Sequence, residues 1–397
     1  MRKYIEDLLI GADQSELDLY LGIIESVEGL TKDFNRDFFK ECEKGNRDYH
    51  ELSNALAENG LMGLGVPESQ GGVGGGLFGA ALLLDMLGQA GLASMKLFLT
   101  TFCRSPIIKH GTEEQIKKYV TPSTQGEKSF CIMATEPDAG TNTFKIKTKA
   151  EKVGDKWILN GQKTFITCAH EADYGLVIAK TDTDSSTSDD RKEGITVFVM
   201  DMKAAGVDMH KLNIQMSKED TQWTVFMDNV ELDEDAVIGK VGRGLQAMFD
   251  ALNPERLLIS SMVVGMSDYV ANKTVDYVNQ RAPFGQPTGS YQGVQHPLAK
   301  AKIHTDAARL AIYQGARLYD QGKDAGTYAN MAKYMASTAG CDMCDAAIQF
   351  HGGSGMDEDT DILYFWRVAR TTRIAPINNE MVLNFVAEHN LGMPKSY

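Results

Sequence analysis

At 397 residues with 43% hydrophobic side chains, the chain buries a large interior, and its length suggests two or three domains. A formal net charge of -14 and a pI near 5.1 exclude a protein that grips a phosphate backbone, so any anionic ligand must be met by local donors. No apolar run approaches the roughly 20 residues that cross a bilayer, Met1 to Asp7 lacks a secretory core, and six scattered cysteines suit reduced thiols; a cytoplasmic protein with no membrane or nucleic-acid partner is expected.

In chain order, apolar residues at spacings of three and four predict helices over Glu16 to Val27, Phe34 to Cys42, Asp48 to Glu58 and Gly79 to Leu87. The period then changes to two in Phe144 to Ala150, Tyr174 to Ala179, Ile195 to Val199 and Trp223 to Phe226, which predicts strands. The polar stretch Asp182 to Glu193 reads as a mobile loop between two of them. Long helical patterns return over Leu245 to Gln280, Gln295 to Gln321 and Tyr328 to Phe350, with a shorter one over Asn379 to His389. Helices of that length bury their stripes best against one another, which predicts an up-and-down bundle. The fold class is α+β: a helical domain at 1–128, a central β domain at 129–242 and a helical bundle at 243–397.

Thr135-Glu136-Pro137-Asp138-Ala139-Gly140-Thr141-Asn142 follows the apolar segment Phe130 to Ala134. A Pro-Gly turn rich in hydroxyl and amide groups aims donors at one spot, which suits a flavin pyrimidine edge or a phosphate, although an ordinary β-turn has the same composition. Asn160-Gly161-Gln162-Lys163-Thr164-Phe165-Ile166-Thr167 follows, with Pro67-Glu68 and Gly71-Gly72 upstream, Arg281 to Gly285 in the bundle, and Gln349-Phe350-His351-Gly352-Gly353-Ser354-Gly355 near the end. With these motifs in this order over almost its whole length, the chain resembles the acyl-CoA dehydrogenase family.

The resemblance implies that family's fold, an N-terminal helical domain, a central β domain and a C-terminal four-helix bundle, assembled as a homotetramer around FAD. It implies that Met133 and Thr135 line the flavin, that Phe165 packs on the ring where many relatives carry Trp, and that Thr167 faces N5. Arg281, Phe284, Gln292, Gln349, Gly352 and Gly353 match the segments that hold the FAD adenosine and pyrophosphate, partly across a subunit boundary. Thr141 and Arg256 match substrate-binding positions. The implied partners are an acyl-CoA substrate and an electron-transfer flavoprotein.

Removing a proton α to a thioester carbonyl needs a carboxylate, while a hydride leaves the β carbon for the flavin. The family keeps that base at one of two positions. One falls in Ala375-Pro376-Ile377-Asn378, which holds no acid; the other falls in Asn253-Pro254-Glu255-Arg256-Leu257, as in the isovaleryl-CoA type. Glu255 is therefore the candidate base, and its run of Leu252, Leu257, Leu258 and Ile259 makes an unused charge costly. The same resemblance suggests a short, branched or cyclic acyl group.

Other motifs carry less. Gly74-Gly75-Gly76-Leu77-Phe78-Gly79 fits a dinucleotide fingerprint in letters, but no strand precedes it, so a flexible entry loop is expected. Cys341 and Cys344 lie in a helical pattern without a second pair and read as buried thiols, and no spacing suggests a metal. His351 beside Gly352 reads as a helix end. Two departures from the family stand out. Pro376 offers no N–H where relatives polarise the thioester carbonyl, so either the local register is shifted or that half of the oxyanion hole is changed; and Gln215 to Thr221 lacks the usual Gly and Arg. An enoyl-CoA reductase, an acyl-CoA oxidase and a non-catalytic partner subunit remain alternative functions on the same scaffold.

Overall fold

The computed structural model describes residues 1–10, 13–181, 194–214 and 220–396. The expected loop at Asp182 to Glu193 and most of the atypical segment from Gln215 therefore lie outside the described residues. The chain forms two compact units, one of residues 1–48, 75–93 and 253–397, the other of residues 49–74 and 94–252. Among the described residues no helix is long and apolar enough to cross a membrane.

The N-terminal helices are α1 (Arg2–Leu8), α2 (Gln14–Leu30), α3 (Arg36–Lys44), α4 (His50–Glu58), α5 (Gly76–Gln89) and α6 (Met95–His110), followed by the short α7 (Glu113–Gln115) and α8 (Thr121–Thr124) around a π-helical turn. Sequence patterns missed α1 and α6. Helix α6 has buried residues all round, including Lys96 and Arg104, so it shows no amphipathic stripe to find. Side-chain caps mark several starts: Asp13 accepts from Ser15 N at 3.0 Å, and Ser94 from Leu97 N at 3.3 Å.

The second unit is built on an eight-stranded mixed sheet. Its strands are β1 (Phe130–Met133), β2 (Lys149–Val153), β3 (Lys156–Thr167), β4 (Tyr174–Thr181), β5 (Ile195–Asp201), β6 (Val207–Lys211), β7 (Gln222–Leu232) and β8 (Val237–Ile238). They run in the order β6-β7-β3-β2-β4-β5-β8, and β1 pairs with β4 in parallel. Cys131, Met133, Leu159, Val177, Phe198 and Val225 are fully buried in its core.

One expected strand is displaced. Phe144 lies in a 3₁₀ turn, and pairing begins only at Lys149. The cause is a competing acceptor: the Glu136 carboxylate takes the backbone N–H groups of Lys147 and Thr148, which a ladder would otherwise use.

The first unit contains most of α9 (Gly244–Gln280), which begins in the second unit and enters this one at Asn253, with α10 (Gln292–Asp320), α11 (Gly326–His351), α12 (Ile362–Thr372) and α13 (Asn379–Phe385). Helix α12, which the patterns did not predict, completes the bundle against α11. Helix α5 meets α9 backbone to backbone at Gly88 and Gly265: a Cβ on Gly265 would sit 2.0 Å from the Asp85 carbonyl oxygen, so only glycine permits the approach. Beneath that crossing, Arg309 donates to both oxygens of Asp85 at 2.7 and 3.0 Å and to Asp268 at 2.7 Å.

The fingerprint-like glycines are partly helix rather than loop, since α5 begins at Gly76. Its N-terminus already holds an anion, because Asp320 accepts from Leu77 N and Phe78 N at 2.7 and 2.9 Å. Cys341 and Cys344 are buried on α11, and burial pushes both thiols upward.

Candidate active site

In the second unit, β1 delivers the chain to a tight turn in which Glu136 and Ala139 exchange backbone hydrogen bonds of 3.0 and 3.1 Å. Thr135, half-buried, stands at the head of this turn, and its carbonyl accepts from Thr164 N at 2.9 Å. The turn is thereby sewn to β3. Met133 points into the sheet core and is fully buried, so it presents only its main chain outward. Thr141 lies in the exposed stretch after the turn.

Strand β3 carries the next two expected residues through an irregularity. Its register against β7 shifts between Lys163 and Ile166, which places one extra residue on β3. Within that bulge Phe165 takes φ 58° and stands 58% exposed, while Cys168 just beyond takes φ 57°. Two non-glycine residues in the left-handed region, one a large exposed aromatic, mark backbone strain of the kind kept at functional positions. Between them Thr167 faces Gln222 of β7, whose Nε2 lies 2.8 Å from the threonine hydroxyl. The half-buried hydroxyls of Thr135 and Thr167 and the displaced Phe165 ring fit a flat, polar-edged aromatic group.

In the first unit Glu255 lies in a wholly buried stretch of α9, residues 254–260, and is 7% exposed. Among the described residues its carboxylate accepts no hydrogen bond and forms no ion pair. Burial pushes its pKa up to about 8, against the opposing charges of Arg256 and Lys333. Arg256 is buried as well. One of its terminal nitrogens donates to Asn253 Oδ1 at 3.3 Å, and its Nε has no hydrogen-bond partner among the described residues. Lys333 of α11 is 1% exposed, donates to Asn379 Oδ1 at 2.6 Å, and is lowered to about 8 by burial and then by the charge of Arg256.

The segment expected at the family's second base position, Ala375 to Asn378, lies in the link from α12 to α13. Asn379 N donates to Arg373 O at 3.1 Å, Ser337 donates to Asn379 Oδ1 at 3.0 Å, and Asn378 caps α13 through Met381 N at 2.8 Å. No carboxylate occurs between Ile374 and Asn379.

The remaining expected residues gather at one end of the bundle. Arg281 and Phe284 follow α9, Gln292 opens α10, and Gln349, Gly352 and Gly353 close α11; all are exposed, Phe284 to 87%. The ends of α9 and α11 are side by side, with the Tyr277 and His351 rings stacked 4.2 Å apart. His351 is buried and bonds Ala347 O at 2.9 Å, and Gly352 caps the helix at φ 61°, so the helix-end reading of this pair holds.

Sequence reasoning gave no role to Lys163, Gln222 or Lys333. Lys163 had a signal: it shares the inward register of β3 with Trp157 and Leu159, where an amine demands a partner. Gln222 and Lys333 had none, because their importance comes from residues distant in sequence.

Comparison with known proteins completes this picture. The N-terminal, middle and C-terminal domains of acyl-CoA dehydrogenase match residues 22–127, 131–230 and 242–391. The chain belongs to the acyl-CoA dehydrogenase family. It is therefore an oxidoreductase acting on an acyl-CoA. It is 34% identical over 376 residues to the acyl-CoA dehydrogenase FadE12 of Mycobacterium tuberculosis, covering 94% of this chain and 96% of the relative. It is 30% identical to the caffeyl-CoA reductase-Etf complex subunit CarC of Acetobacterium woodii, over 86% of this chain and 90% of the relative. Butyryl-CoA dehydrogenase of Megasphaera elsdenii superimposes with a TM-score of 0.86 at 26% identity, covering 94% of this chain and 98% of the other.

Proposed function

We propose that this family member is an FAD-dependent dehydrogenase that introduces an α,β double bond into an acyl-CoA thioester, with Glu255 taking the α-proton. The observation that carries the proposal is Glu255 itself: a buried carboxylate without hydrogen bonds, raised to about 8, in a chain whose second base position has no acid. A base poised near neutral pH combines proton affinity with a usable ionised fraction. Leaving a carboxylate unpaired in an apolar helix lowers stability, which marks it as retained for chemistry.

FAD supplies the hydride acceptor when bound. Thr135, Phe165, Thr167 and the main chain at Met133 hold its flavin ring in this reading. Arg281, Phe284, Gln292, Gln349, Gly352 and Gly353 hold its adenosine and pyrophosphate, and a cation at Arg281 supplies charge that an acidic chain otherwise withholds from phosphate. Arg256, whose buried Nε has no hydrogen-bond partner among the described residues, and Thr141 bind the acyl-CoA. The exposure of the whole adenosine-side set suits completion by a second copy, hence a homotetramer, and the domains in this reading are 1–128, 129–242 and 243–397. An electron-transfer flavoprotein is the proposed electron acceptor, in line with the relative named as a subunit of a reductase-Etf complex. That relative also favours a second reading, reduction of an enoyl-CoA with the same residues run in reverse. Pro376 leaves one donor of the carbonyl site to be found elsewhere.

The test is flavin bleaching by a panel of acyl-CoAs under anaerobic conditions. Glu255→Gln keeps side-chain volume and removes the proton acceptor, so it should retain FAD and bind thioester while its flavin is reduced about 10²- to 10⁴-fold more slowly. Reduction at the parent rate would put the base elsewhere. Isovaleryl-CoA and other short or branched thioesters should outpace palmitoyl-CoA, and the opposite order would reject the short-chain assignment.

A further inference from the structure

Among the described residues of the β domain, Lys163 and Glu136 form a buried ion pair that the reaction itself does not require. Lys163 is 0% exposed and Glu136 5%, and the ammonium lies 2.8 Å from Glu136 Oε1 and 3.1 Å from Ala134 O. Burial lowers the Lys163 pKa to about 8, against the hydrogen bond and charge of Glu136 that raise it. A buried pair of this kind is a poor source of stability, because apolar side chains of similar volume often serve as well or better. Its retention calls for a geometric reason.

The geometry supplies one. Lys163 bonds both residues that flank Thr135, and the next residue, Thr164, donates its N–H to the Thr135 carbonyl at 2.9 Å. Glu136 also accepts from Lys147 N and from Thr148 N at 3.0 Å, which anchors the far side of the turn. Lys163 is the last residue in register with β7 before the bulge that displaces Phe165 and leads to Thr167. A single buried amine thus fixes Thr135 relative to Phe165 and Thr167.

We propose that Lys163 and Glu136 are positioning residues for the flavin: their ion pair sets the distance between the Thr135 turn and the Phe165–Thr167 strand, and thereby the hydrogen bonds those threonines make to the ring. The proposal rests on the reading that these three residues hold the flavin. It gives the pair a role in the cofactor's redox behaviour rather than in folding alone.

The test uses the full-length holoenzyme. Lys163→Met alone strands a buried carboxylate and is prone to misfold, so the informative variant is Lys163→Met with Glu136→Gln, which leaves net charge unchanged and keeps an acceptor for the Lys147 and Thr148 amides. Because net charge is conserved, the variant places no uncompensated charge near the flavin. The double variant should fold with the parent's circular dichroism, bind FAD about tenfold more weakly, as expected for one lost hydrogen bond, and show a shifted visible flavin spectrum and reduction potential. A folded double variant with the parent's affinity, spectrum and potential, whatever its melting temperature, overturns the proposal. If it fails to fold, Lys163→Gln with Glu136→Gln, which also leaves net charge unchanged, is read in the same way. Thr135→Ala and Thr167→Ala separate the two levels of argument: if both leave the flavin unchanged, the flavin assignment and this proposal fall together, whereas if they perturb it and the pair variant does not, only the positioning role is lost.

Discussion

Thr167 and Gln222 occupy directly paired positions on β3 and β7, and the Gln222 carboxamide meets the Thr167 hydroxyl through both of its ends, at 2.8 Å from Nε2 and 3.1 Å from Oε1. Nε2 donates to the threonine oxygen, and the threonine hydroxyl donates to Oε1, so the carboxamide holds the hydroxyl in one orientation. A cross-strand contact thus decides where the hydroxyl beside the proposed flavin N5 directs its hydrogen. The strained residues on either side, Phe165 and Cys168, hold the backbone that carries it.

Gln222→Ala should therefore leave FAD bound but let the Thr167 hydroxyl rotate. The expected result is a slower hydride step, by about three- to tenfold, the scale of a weakened hydrogen bond, with KM for the thioester unchanged. Stopped-flow reduction of the variant's flavin checks this, and a parent-like rate would detach Gln222 from Thr167's function.

Arg309 anchors the α5–α9–α10 contact through Asp85 and Asp268, and Tyr313 adds a hydrogen bond to Asp85 at 3.0 Å. Arg309→Met leaves Asp85 buried and uncompensated. A loss of about 3–5 kcal/mol in unfolding free energy is expected, measured by denaturant titration, with Asp85→Asn added to recover part of it. A loss below about 1 kcal/mol, the range of an exposed pair, would show that the site is open to water.

Arg281→Ala tests the adenosine side. The residue is exposed, so its removal should cost little stability, yet FAD occupancy of the purified protein should fall sharply if its charge meets the pyrophosphate. Cofactor content by absorbance decides the matter, and full occupancy would remove Arg281 from the site.

Much of this arrangement was legible in the sequence, for reasons that differ by element. The long helices α9, α10 and α11 were found to within a few residues because they are long enough for the apolar period to repeat many times. The strand expected from Phe144 was misplaced because Glu136, remote from the local pattern, captures two of its amides. Glu255 was reached as a candidate through the family resemblance, its apolar neighbours and the acid-free segment at Pro376, but its raised pKa comes from burial in the folded bundle, which no local window contains. Lys333 illustrates the same limit: an ordinary helix lysine in sequence, it is buried against Asn379 by tertiary packing.

That lysine yields the sharpest pH prediction. With Glu255 raised to about 8, the free enzyme holds its base largely protonated at neutral pH, so kcat/KM for thioester oxidation should climb with pH and level off above about 8. The Lys333 charge favours the ionised form of Glu255, and Lys333→Met removes it while Ser337 still donates to Asn379. The variant's profile should shift to higher pH with its high-pH plateau kept; a profile that does not move would mean that Lys333 is screened or already neutral where Glu255 ionises. Stability supplies an independent check with a definite sign. The folded pKa of Glu255 lies above its unfolded value, so the neutral form is the one folding favours, and the contribution is complete below the unfolded value and lost as pH rises through about 8. Glu255→Gln is neutral throughout, so its melting temperature should exceed the parent's by a margin that widens from acidic pH to about pH 9. A constant margin across that range would show that Glu255 is already ionised and paired in the folded protein, and the rate profile would then have to be assigned to another group.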